Sequence, residues 1–244
     1  MKKLLFWMVL IVGIIAVIGA CKKKDDSTTT TTDNTTTDNT TTTAGDVAGT
    51  GTTASGTITG NENLTGTFHM SWYGQEPSGG CVDNSSAISD FSFPSETLSF
   101  KREFFITGTS TYTLSQITYS DATCSTMTSY FNALYKNVTI GSELTGLTAG
   151  SSPAKPTTAT KISSVEDKYV FMANTTDTIA YFLTSFTQTV TSGTEKVLVE
   201  PSPVTKYGLI ATGTVSGSTY LFTSRSFSTA DNVTDWSSAS IYWK

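Results

Sequence analysis

Histidine and cysteine are scarce in this chain: its 244 residues hold one histidine and three cysteines. A zinc cage of cysteine and histidine would lack ligands, and histidine-based catalysis has a single candidate, His69. Charge is thin as well, at 14% of residues with a net charge of −5. Beyond residue 60 the chain carries 10 basic and 15 acidic groups, scattered rather than grouped. That balance lacks the basic footprint of a nucleic-acid binder. Glu166-Asp167 and the Asp83/Asp90 loop are too sparse for a carboxylate metal site and read as solvated loop charges. No Gly-x-Ser-x-Gly elbow, phosphate-cradling loop or dinucleotide fingerprint occurs. No catalytic residue, metal or cofactor is therefore assigned. The enzymatic alternative that survives is a hydrolase using two carboxylates, because such a pair meets in space rather than in sequence.

What is present begins with an address. Lys2 and Lys3 precede an apolar run from Leu4 to Ala20, and Cys21 follows the small residues Gly19 and Ala20. A basic head, an apolar middle and small residues before a cleavage point describe a secretory signal over residues 1–20. The alternative is an uncleaved anchor, since the run sits near the lower limit for crossing a bilayer. Ile18-Gly19-Ala20-Cys21 resembles the lipobox of bacterial lipoproteins. Ile18 stands where that pattern prefers Leu, a variation that spirochaete lipoproteins accommodate. The resemblance implies that Cys21 becomes the N-terminus, with diacylglycerol on its sulfur and an acyl group on its amine. Two or three chains, at about 0.8 kcal/mol per buried CH₂, would hold firmly where one holds marginally. Lys22, Lys23 and Lys24 would then lie at the headgroups. A Lys rather than an Asp after the lipidated cysteine is consistent with sorting to the outer membrane.

Residues 21–60 read as a tether. From Thr28 to Thr43, 12 of 16 residues are threonine, and Gly, Ala and Thr continue to about Gly60. With no apolar periodicity, nothing compensates for ordering this segment. As a random coil of about 40 residues it would span roughly 35 Å.

Residues 61–244 read as one all-β domain, long enough to bury roughly 70% of the surface its unfolded chain exposes. From Thr67 to Tyr73, Phe68, Met70 and Trp72 alternate with His69, Ser71 and Tyr73. Leu98, Phe100 and the Phe104-Phe105-Ile106 cluster suggest a second strand, and Thr111 to Tyr119 a third. In the third, the apolar phase slips between Leu114 and Ile117, as a bulge would produce. Further candidates are Leu134–Ile140, Thr160–Val165, Tyr169–Ala173, Ile179–Thr189, Lys196–Val199, Tyr207–Thr214, Ser218–Ser224 and Ala239–Trp243. Helical spacing occurs twice. Met127, Tyr130, Phe131, Leu134 and Val138 suggest a short helix or turn, whereas β-branched surroundings favour a strand over Ile179, Phe182, Leu183 and Phe186. About eight to ten antiparallel strands predict an up-and-down β-barrel, with a β-sandwich as the alternative.

Several short motifs carry a second resemblance: Leu64-x-Gly66-x-Phe68, Tyr119-x-Asp121-x-x-Cys124, Tyr207-Gly208-Leu209-Ile210 and the terminal Ile241-Tyr242-Trp243-Lys244. Together they resemble bacterial lipocalin-like lipoproteins of the calycin type, although Phe68 stands where lipocalins usually carry Trp. The resemblance implies an up-and-down barrel, often closed by one disulfide.

If Cys21 carries lipid, Cys81 and Cys124 form the one intramolecular pair available in an oxidising compartment. Two free thiols, or a thiol paired with His69, are the alternatives. His69 itself reads as an ordinary strand residue. Phe68, Met70, Trp72, Phe100, Tyr112, Leu114 and Tyr119 are the candidate lining of a cavity for an apolar ligand. Their competing reading is plain core packing. Trp236, Tyr242 and Trp243 are expected to plug or brace the barrel end.

The function expected is therefore non-enzymatic. The chain reads as a membrane-anchored envelope lipoprotein whose monomeric barrel binds a small apolar ligand or a surface macromolecule. A structural envelope protein without a ligand is the alternative. Cys21→Ala should leave an unprocessed precursor that incorporates no labelled fatty acid. Label persisting in that variant would remove the lipid assignment.

Overall fold

In the computed structural model, the described residues are 46–47, 52–70, 78–148, 155–200, 202–215, 218–224, 227–236 and 239–243. The signal segment, Cys21, most of the tether, and Ser71, Trp72 and Tyr73 lie outside them. Two-residue strands β1 (Asp46–Val47) and β2 (Thr52–Thr53) pair with each other. The body then runs β3 (Thr67–Met70), α1 (Ser85–Asp90), β4 (Ser99–Ile106), β5 (Tyr112–Tyr119) and β6 (Met127–Thr145). It continues through β7 (Thr158–Ala173), α2 (Thr176–Phe186), β8 (Lys196–Val199), β9 (Thr205–Val215), β10 (Ser218–Ser224) and β11 (Ala239–Trp243).

Antiparallel pairing runs β6-β5-β4-β3-β11-β10-β9-β7, and β6 also pairs with β7, which closes an eight-strand up-and-down ring. A ring rather than two facing sheets excludes the sandwich. Strand β8 pairs with β7 at Lys168–Phe171, beyond the stretch Thr160–Val165 that pairs with β9.

Alternation decides which face turns inward. Phe68 and Met70 of β3, Phe104 and Ile106 of β4, Tyr112, Val138, Ile162, Ile210, Leu221 and Tyr242 join one buried cluster. All eight barrel strands contribute to it, which only an interior face permits. His69 points the other way, and its Nδ1 lies 2.9 Å from Glu103 Oε1. The phase expected for Phe68 and Met70 therefore holds.

The outer wall is apolar in places too, and this corrects four expectations. Strands β4 and β5 keep one register from Ile106–Tyr112 to Ser99–Tyr119, so no bulge separates Leu114 from Ile117. Leu114 faces in, while Ile117 and Tyr119 face out into a cluster with Tyr130, Val170 and Met172. Tyr119 is thus not a lining residue. The segment Met127 to Val138 is not a helix but part of the 19-residue β6. Its apolar residues cover both faces of the wall, and that mimics a helical spacing. Trp236 does not plug the end. It packs on the outer wall with Leu209 and Phe222, its Nε1 donating to the Pro156 carbonyl at 2.9 Å.

The segment expected to form a strand over Ile179–Thr189 is instead helical to Phe186. Thr175 caps α2: its side chain accepts from the Thr178 backbone, and the Thr178 side chain accepts from the Thr175 backbone. That reciprocal cap and the Ile179/Phe182/Phe186 stripe outweigh the β-branched composition.

The packed body also begins earlier than residue 61. Ile58 is 1% exposed within the interior cluster, and the Gly56 amide donates to the Ile106 carbonyl at 2.9 Å. Gly56 passes so close to Gly108 that an added Cβ would sit 2.2 Å from the Gly108 nitrogen.

Cys81, after β3, is bonded to Cys124, between β5 and β6, with their Cα atoms 5.9 Å apart and 43 positions between them in sequence. The bond fastens the loops at one end of neighbouring strands, as expected, and excludes a catalytic pair with His69. The chain-entropy model gives roughly 4 kcal/mol for a loop of this size, less any strain. Among the described residues no helix is long and apolar enough to cross a membrane.

Phe68 is fully buried, so Phe68→Ala should lower unfolding free energy by about 3–5 kcal/mol in urea titrations. A loss under about 1 kcal/mol would contradict its place in the interior.

Candidate functional site

The interior is layered. Ladder pairing places Ile106 opposite Tyr112 and Tyr112 opposite Tyr135, at the end of the barrel nearer Ile58 and Leu64. This layer is filled. Phe104 stacks on Tyr112 at 4.5 Å and Tyr112 on Tyr135 at 4.6 Å, while the Tyr112 hydroxyl meets Ser164 Oγ of β7 at 3.0 Å. Phe68, Ile106 and Tyr112 are at most 1% exposed. A ligand has no room among them.

Two residues further along each strand the layer is Phe104, Leu114, Ala133 and Tyr169, and beyond it comes Arg102, Gln116, Phe131 and Phe171. Here the packing is different. Arg102, Leu114, Gln116, Phe131, Tyr135 and Tyr169 face inward yet are only half-buried. An inward side chain that keeps accessible surface borders space that solvent reaches. The lumen is thus tightly packed at the Ile58 end, and towards the other end its inward side chains keep part of their accessible surface.

Helix α2 packs against that end. Its apolar stripe explains why: Phe182 packs edge-on against Phe171 at 5.4 Å, and Phe186 lies 5.0 Å from Phe131. Tyr181 and Phe186 are themselves half-buried. The start of α2 is tied to the loop before β4, with Thr175 Oγ1 donating to Glu96 and Ser95 Oγ donating to Asp177 at 3.1 Å. Thr178 Oγ1 also donates to the Thr128 carbonyl of β6 at 3.3 Å.

The α2 end of the barrel carries polar and aromatic side chains together. Burial pushes the Tyr181 phenol above its ordinary value, against a hydrogen bond with Gln116 and the charge of Arg102. Burial also raises the phenols of Tyr135 and Tyr169, helped by the negative charge of Glu166. Glu166 is balanced by Lys206, whose Nζ lies 3.6 Å from Oε2. Arg102 stacks over the Phe91 ring at 4.9 Å. At neutral pH these tyrosines remain protonated donors. Among the described residues no group of three metal-ligating side chains comes together.

Of the residues expected to line a cavity, the structure gathers Phe68, Met70, Tyr112 and Leu114 on the inward face. Phe68 and Tyr112 are core, Met70 is 9% exposed at the edge of the cluster, and Leu114 packs half-buried against it. Phe100 lies on the same face of β4 but is fully buried with Val82, Ala87, Phe91 and Phe93 beneath α1, so it is packed rather than lining. Tyr119 faces outward, and Trp72 lies outside the described residues. The sequence reading missed Arg102, Gln116, Phe131, Tyr135, Tyr169 and the two α2 aromatics. Arg102 shares the phase of Phe104, but the run Phe104-Phe105-Ile106 hides which alternate set points in.

The fold and this lumen define an all-β, closed up-and-down barrel with a helix across one end. Compared with models of protein families and with curated proteins, the chain matches none.

The cap on α2 should hold the helix in place. Thr175→Ala should cost about 1 kcal/mol of stability and speed amide exchange across residues 176–186. Unchanged exchange there would separate the cap from the order of the helix.

Proposed function

We propose that this chain is a bacterial envelope lipoprotein, anchored through lipid on Cys21 and displaying a monomeric barrel that binds a small, largely apolar ligand. The anchor reading rests on the run Leu4–Ala20 ending at Gly19-Ala20-Cys21, with Lys22 favouring the outer membrane. The tether sets the barrel off the bilayer. The domain is non-enzymatic in this reading, and binding needs neither metal nor cofactor.

One observation carries the binding reading: Leu114, Phe131, Tyr135 and Tyr169 turn into the barrel and yet stay half-buried, with Phe186 of α2 packed on Phe131. Inward-facing aromatic surface that keeps part of its accessible area is what an apolar guest would cover. Tight packing at the Ile58 end narrows the candidate lining from the whole lumen to its α2 end.

The test is titration of the mature chain, Cys21–Lys244 made with Cys21→Ser, with an uncharged solvatochromic dye. Saturable one-to-one binding with a blue shift is expected. Phe131→Ala should weaken it about tenfold, equivalent to about 1.4 kcal/mol, while the far-ultraviolet spectrum is kept. Absence of saturable binding would leave the structural envelope protein as the better reading.

A further inference from the structure

The ring closes without β8. That strand lies along β7 at Lys168–Phe171, and β7 is its one neighbour in the sheet. Its side chains are unusually bare. Among the described residues, Val199 is the most exposed of the large apolar ones at 69%, and Val197 (50%) and Val204 (47%) belong to the same segment. The backbone is open as well. The Glu200 amide donates to the Asp167 carbonyl at 3.1 Å, so in antiparallel pairing Glu200, Leu198 and Lys196 turn their backbone groups towards β7. Those of Val197 and Val199 therefore point away from the sheet, and among the described residues no backbone bond meets them there. A free edge of this kind is a template for another strand.

The sequence of the edge selects which strand. Residues 196–200 read Lys-Val-Leu-Val-Glu. Laid antiparallel against a second copy, with Leu198 on a two-fold axis, Lys196 falls opposite Glu200 and Val197 opposite Val199. The same register satisfies the backbone. Val197 and Val199 of opposite copies exchange amide and carbonyl bonds, while Leu198 meets Leu198 and Lys196 meets Glu200 at the closer, non-hydrogen-bonded positions. A slip of two residues would keep the bonding but set Lys196 or Glu200 against Leu198. Both charges can take a new partner. Lys196 Nζ donates to the Thr189 carbonyl at 2.9 Å, and Glu200 Oε1 accepts from the Ser202 amide at 3.2 Å, leaving further ammonium protons and the second carboxylate oxygen. An edge lysine by itself would repel a second edge; here Glu200 answers it. Pro201 follows with no amide to extend the ladder.

We propose that β8 is a homotypic docking edge, through which two copies of this chain pair antiparallel about a two-fold axis at Leu198. Each barrel closes within its own chain, so the pairing joins complete monomers. It goes beyond the binding reading and does not depend on it. A ladder this short buries well under the roughly 1,200 Å² of a standard interface, so association is weak and the dilute barrel is a monomer. For copies anchored as proposed above, confinement at the membrane would supply the concentration that dilute solution lacks.

Sedimentation of the mature Cys21→Ser chain tests this. Monomer is expected at about 10 µM and a growing fraction of dimer towards about 1 mM. Lys196→Glu, or Glu200→Lys, sets like charges opposite each other and should weaken the dimer about tenfold. The double variant restores opposite charges and should return to within about threefold of the original affinity. Leu198→Cys should give a disulfide-linked dimer on mild oxidation, because facing non-hydrogen-bonded residues bring their Cα atoms to about 4.5 Å. Leu98→Cys, in the loop before β4 and exposed at 53%, should not. If Leu198→Cys does not fold, the charge reversals still decide. A monomer throughout, a dimer indifferent to both single reversals, or a double variant as weak as the singles would overturn the proposal.

Discussion

The ladder between β6 and β7, from Ser129–Ala173 to Thr145–Thr158, turns a sheet of eight strands into a ring, and a ring has an inside. Once it closes, each alternate residue has a fixed fate. Phe68, Phe104 and Tyr112 meet across the lumen, while His69 and Glu103 meet on the outer wall. A slip of one residue in any strand would exchange these sets, at roughly 1.5–3 kcal/mol for each large apolar group moved into water. The ladder achieves its length with three register shifts, which bend the hairpin round the barrel. Closure also leaves little of the sheet as bare edge.

Composition and alternation made the strand class legible, because turn residues separate segments of strong period two. The first strand was read in its correct phase, and the cysteine pairing followed from having two candidates. The errors share one physical origin. Alternation identifies a strand's inward face only when the other face is polar, and here part of the outer wall is covered. Ile117, Tyr119, Tyr130, Val170 and Met172 pack there as tightly as interior residues do. Leu114 and Ile117 thus suggested a bulge, and the two-sided β6 suggested a helix. In α2 the opposite happened: a strand-like composition gave way to a capped, amphipathic turn sequence docked on Phe131 and Phe171.

The candidate site was the least legible part for a related reason. Its members come from β4, β5, β6, β7 and α2, and they are neighbours only after the ring has closed. Aromatic residues alone do not distinguish a packed layer from an accessible one. Tyr112 and Tyr135 stack on each other, yet Tyr112 is 1% exposed and Tyr135 is half-buried. Tyr112 lies wholly within the interior cluster, whereas Tyr135 packs against its border.

That partly exposed aromatic surface has an energetic meaning. An aromatic side chain left partly exposed inside a protein forgoes on the order of 1 kcal/mol that tighter packing would have supplied. Several such residues together amount to a noticeable fraction of a typical stability of about 5–15 kcal/mol. Cross-linking Cys81 to Cys124 and capping α2 act in the opposite direction, adding stability at the loops and at the helix start. In the proposed reading, a guest with an apolar surface offsets that cost by covering the half-buried rings, so the features that weaken the empty barrel are the ones that would select its ligand.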